Sequence, residues 1–225
     1  MYESVDDQPQ PLSTCWNYWI AVSTGDQAGV MEILGLTEPE PVSFAAAAEI
    51  IDTDGHNGYL GRVFVTPEVG GWTLVMGAWC DPYGIERRED VLRLCTELSE
   101  RYSRAHAYYY SEQADGSAWL VTENGMVVRR YAAAGEPGDE LLALGEPLPV
   151  EQAKRTELGL PTQWDPAAED DEEWLGAAFE LAPEVASAQG VSPFVLTADT
   201  PWSGVGVLAV TPYGGAIRRS SLPRG

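Results

Sequence analysis

Only two histidines, His56 and His106, stand in the 225-residue chain, so any metal centre or general base built on imidazole must use one of them. His56 lies in the stretch Asp52-Thr53-Asp54-Gly55-His56-Asn57-Gly58, which places two carboxylates and an imidazole close together. Oxygen and nitrogen donors so grouped suit a hard or borderline cation. The calcium-loop pattern nevertheless breaks down. No further oxygen ligand precedes the glycine, and the twelfth position is Val63 where glutamate is needed. Asp, Asn and Gly are equally the residues of an ordinary turn, so the stretch reads as a surface loop. Metal binding by Asp52, Asp54 and His56 stays an open alternative, and no metal or cofactor is assigned. His106 alternates with Tyr108 and Tyr110 along a strand-like run and reads as a hydrogen-bonded structural histidine.

Other catalytic signatures are missing. The chain has no G-x-S-x-G elbow, no G-x-G-x-x-G and no phosphate loop, and Lys154 is its only lysine. Cys15, Cys80 and Cys95 are odd in number and lack C-x-x-C spacing, which reads as reduced structural thiols. Among 35 acidic residues some carboxylates must approach one another, but spacing alone selects no pair.

Charge is the more informative property. Thirteen Lys and Arg against 35 Asp and Glu leave a net charge of −22, which opposes binding to nucleic acid or to anionic membrane surfaces. Residues 1–61 hold ten acids and no Lys or Arg, and residues 156–217 again hold ten acids and none. The densest run, Glu169-Asp170-Asp171-Glu172-Glu173, is expected at the surface, at a helix N-terminus where the dipole favours carboxylates. Trp174 follows it directly. With Trp16 and Trp19, this tryptophan is a candidate for an aromatic docking patch ringed by carboxylates, since Trp and Tyr carry much of the binding energy at interfaces.

These features read together as a non-enzymatic acidic protein that binds a basic protein partner, in an inhibitor or immunity-type role. The alternative is a small-molecule enzyme or binding protein with a Trp/Tyr-lined pocket and carboxylate and histidine chemistry. The acidic first residues carry no signal-like apolar run, and no apolar stretch nears the roughly 18 residues of a membrane-spanning helix. A cytoplasmic setting is expected on that basis. The bias toward Arg over Lys, with abundant Ala and Gly, fits a high-GC bacterial genome.

The elements that must position these residues follow from periodicity. Residues 17–22 form a strand, then a short helix capped by Thr24 or Asp26 carries Val30, Ile33 and Leu34 inward, and residues 44–51 suit a second helix. Strands are expected at 62–66 and 72–79, joined by a loop at 67–71. Residues 86–103 form the clearest helix, with Val91, Leu94, Cys95, Leu98 and Tyr102 on one stripe. Strands follow at 105–110, 117–122 and 126–131, the last two joined at Asn124-Gly125 by a tight hairpin. Short helices are expected at 139–144 and 149–158, and residues 204–211 return as a final strand. The fold class is α+β: an antiparallel meander with several helices packed on it. Residues 1–160 form the main domain, and residues 161–225, an acidic helix plus a strand, pack on the same domain.

Overall fold

Aromatic and β-branched residues cannot leave their side chains in water without cost, and in Trp16-Asn17-Tyr18-Trp19-Ile20-Ala21-Val22 they occupy both faces of the strand. This strand, β1 (Trp16–Val22), is accordingly the middle member of a nine-stranded sheet covered on both sides. The computed structural model of the chain describes residues 8–111, 113, 116–133, 142–162 and 172–214.

After β1 come α1 (Gln27–Leu34), β2 (Thr37–Pro41), α2 (Phe44–His56), β3 (Arg62–Val65), β4 (Glu68–Val69) and β5 (Thr73–Met76). Then follow α3 (Arg88–Tyr102), β6 (Arg104–Ser111), β7 (Ser117–Glu123), β8 (Met126–Ala132), β9 (Ala143–Leu144) and α4 (Pro149–Glu157). The chain ends in α5 (Glu172–Ala178), α6 (Ala182–Gln189), β10 (Trp202–Ser203) and β11 (Val207–Val210). The large sheet runs β2-β11-β3-β5-β1-β6-β7-β8-β9 with every neighbouring pair antiparallel, and β10 pairs separately with β4. The fold is thus α+β, as the irregular alternation of elements implied.

Alternation along β1 and β6 sorts the core into two layers. On one face Ile20, Val22, Ala105 and Ala107 pack with Val30 and Leu34 of α1 and Val91, Leu94, Cys95 and Leu98 of α3. On the other, Trp19, Ala21, Tyr108 and Trp119 pack with Phe44, Ala47 and Ile51 of α2 and with residues of α5 and α6. The outer edge strand β2 is exposed along its whole length, and its sequence Thr-Glu-Pro-Glu-Pro discourages further strand pairing by charge and by missing N–H groups.

Local signals hold where they depend on neighbours in sequence. Asp26 caps α1 by accepting from the Gly29 N–H at 2.9 Å, and Gly35 ends it in the left-handed conformation. Asn124 and Gly125 have φ of 49° and 78°, the pair of positive values a type I′ turn needs, and Glu123 pairs with Met126 across it.

Five expectations change. The strand expected at 72–79 ends at Met76, and Gly77 leads into a single 3₁₀ turn at Ala78–Cys80. Residues 52–56 are the last turns of α2, not a loop: Ser43 caps the helix by accepting from the Ala46 N–H, the alanine run propagates it, and Arg62 takes both oxygens of Asp54 at 2.8 and 2.9 Å. The loop at 67–71 contains β4, because β10 supplies a partner from far along the chain. The helix expected at 139–144 is replaced at its end by β9, which pairs with Arg130 and Tyr131 of β8, while residues 139–141 lie outside the described residues. The acidic helix expected to carry Trp174 is short: α5 ends at Ala178, and α6 begins at Ala182 after the cap residue Leu181, with Pro183 in its first turn, where its missing N–H costs nothing.

Candidate functional site

The expected docking residues do not form one patch. Glu169, Asp170 and Asp171 lie outside the described residues. Glu172 and Glu173 open α5, with Glu173 exposed. Trp174 is buried: its indole N–H donates to the Tyr131 hydroxyl at 2.9 Å, and the Arg155 guanidinium lies 5.1 Å from its ring. Trp19 is fully buried and stacks on Tyr108 with ring centroids 4.9 Å apart. Trp16 is half-buried on the opposite face of β1, since residues three apart on a strand point to opposite sides. Of the three tryptophans, only Trp16 reaches solvent, and Trp19 and Trp174 serve the core.

The acidic surface itself has a definite shape beside that core. An open groove of about 400 Å³ lies between α4 and the α5–α6 pair, lined by Glu173, Glu180 and Glu184 together with Lys154, Leu158 and Leu181. Lys154 is the one basic residue on the groove wall, and its ammonium is engaged by Glu157 at 3.1 Å. Three carboxylates facing one concavity with a single, already paired cation make the groove electronegative.

A second constellation forms at the C-terminal end of α2. Helical geometry brings Asp52 and His56 onto the same face one turn apart. The His56 Nδ1 donates to the backbone oxygen of Asp52 at 2.9 Å and lies 3.7 Å from the Asp52 carboxylate. Cys15 joins them from the turn that leads into β1. There the buried Asn17 amide accepts from the Thr14 N–H at 2.8 Å and donates to the Thr14 carbonyl at 2.7 Å, which pins the turn. The Cys15 N–H in turn donates to the Asp52 carboxylate at 2.9 Å. As a result a thiol, a carboxylate oxygen and an imidazole nitrogen all lie within 4.8 Å of one another, with the Trp16 ring edge-on to His56 at 4.9 Å. Asp54, a candidate in the same stretch, is occupied by Arg62 and points away from this group. Sequence reading found Asp52 and His56 but missed Cys15, which lies 37 residues from Asp52 with no spacing signal to link them.

His106 takes no part in either surface. Its ring is fully buried against Trp72 and Tyr108, and burial lowers its pKa to about 4, so it is neutral at physiological pH. Ring packing among the described residues holds it, in place of the side-chain hydrogen bond expected from the sequence. Among those same residues no helix is long and apolar enough to cross a membrane. No family model, curated protein or solved structure matches the chain, so both surfaces are read from their own geometry.

Proposed function

We propose that the protein is a non-enzymatic interaction protein whose acidic face receives a basic protein partner, in the manner of an inhibitor or immunity protein. The groove of Glu173, Glu180 and Glu184 carries this reading, because it concentrates negative charge in a concavity on a chain that already bears −22. Such a field speeds encounter with a cationic partner and weakens as salt shortens its reach to about 8 Å at physiological ionic strength. Glu173, the last residue of the acidic run 169–173, is itself part of the groove lining. Beyond charge, the half-buried Leu158 offers the groove an apolar contact against which a partner's aliphatic side-chain stems can pack.

The test compares the wild type with a triple variant, Glu173→Gln, Glu180→Gln and Glu184→Gln, as baits in a lysate of the native host. Association of the captured basic protein is then timed across a salt series. The reading expects association to slow in the variant and in the wild type as salt rises. Equal rates for both baits, without salt dependence, would remove the acidic face from recognition.

A further inference from the structure

We propose that Cys15, Asp52 and His56 form an open three-ligand site for Zn²⁺, independent of the acidic groove. The donor set is one thiol sulfur, one carboxylate oxygen and one imidazole nitrogen, all within 4.8 Å of one another. A tetrahedral zinc with bonds of about 2.0 to 2.3 Å separates its ligands by about 3.5 Å, so closure asks for side-chain movements of about 1 Å. Asp52 and His56 have the freedom to make them, since their side chains are 38% and 47% exposed. The mixture of sulfur, nitrogen and oxygen matches a borderline ion, whereas calcium and magnesium take oxygen alone.

The surrounding hydrogen bonds match what metal ligands require. The His56 Nδ1–H donates to the Asp52 carbonyl, a backbone partner of the kind that orients ligating imidazoles. One oxygen of Asp52 accepts from the Cys15 backbone, holding the carboxylate beside the sulfur. Residues 14–17 are locked by Asn17, so Cys15 is presented from a rigid turn. Zinc binds the thiolate, and the Cys15 proton leaves to solvent on binding. Three protein ligands leave the fourth position to water, with the Trp16 ring as the neighbouring wall.

The experiment titrates untagged, reduced full-length protein with Co²⁺ and then with Zn²⁺. The expected result is one Co²⁺ per chain with a thiolate-to-cobalt charge-transfer band, displaced by Zn²⁺, and Zn²⁺ protection of Cys15 from alkylation. Cys15→Ser should abolish the band, and His56→Ala should weaken Co²⁺ binding by at least about tenfold, with the circular dichroism of both variants unchanged. Cobalt bound without the thiolate band, affinity unchanged in both variants, or no stoichiometric binding at micromolar metal would each overturn the site. Binding to the basic partner is scored separately, so loss of one reading leaves the other standing.

Discussion

The guanidinium of Arg129 on β8 lies 2.7 Å from the carboxylate of Glu151 on α4, and both side chains are essentially out of solvent. Glu151 also accepts from the Leu148 N–H at 2.9 Å, and Arg129 donates to the Gly145 carbonyl at 2.7 Å. The pair therefore ties β8, the turn after β9 and the start of α4 into one unit. Removing one partner strands the other charge in the core. Glu151→Gln should cost on the order of 3 kcal/mol, whereas Arg129→Met combined with Glu151→Leu should recover much of that loss. Chemical denaturation of the three proteins decides it, and a single variant as stable as the wild type would refute this role.

The buried His106 predicts a specific pH dependence. Its pKa falls from about 6.5 in the unfolded chain to about 4 in the fold, so between those values the unfolded chain binds a proton that the folded one refuses. Stability contributed by neutral His106 is present above pH 6.5 and is lost as pH falls toward 4, by about 3 kcal/mol in all. His106→Gln, which does not titrate, should flatten the slope of stability against pH across this window. Parallel slopes for the two proteins would exclude His106 as its source.

Thiol reactivity should divide the three cysteines. Cys80 and Cys95 are fully buried, and desolvation pushes the Cys80 thiol up to about 12 and the Cys95 thiol upward as well. Cys15, partly exposed, is expected to take a maleimide in the native protein while the other two react only on unfolding. Peptide mapping after brief labelling reads this directly, and early labelling of Cys95 would contradict the packing of α3.

At the β7–β8 turn, Gly125→Val should destabilise by about 1 to 3 kcal/mol, because a β-branched residue is strained at φ of 78°. Its Cβ would meet the side chain of Glu100 at an ordinary 3.5 Å, so the backbone and not crowding sets the cost. A thermal midpoint equal to the wild type would argue against the turn.

Periodicity and turn chemistry in the sequence determined the α3 stripe around Cys95, the Asn124-Gly125 hairpin, the capped α1 helix and the α+β class, because each is decided by residues a few positions apart. Alternation likewise put Tyr108 and Tyr110 on one face, and both pack in the layer that holds Trp19. The acidic composition was equally plain, since charge needs no fold to be counted. What the tertiary structure decided was which of these residues meet. It carried α2 through Gly55 to His56 by pairing Asp54 with Arg62, turning an apparent loop into a helix face that aligns Asp52 with His56. It also brought Cys15 to that face, sent Trp19 and Trp174 into the core, and inserted β11 between β2 and β3. Such contacts join segments tens of residues apart. Their formation depends on loop closure and on the burial available in the whole chain, and local spacing encodes neither.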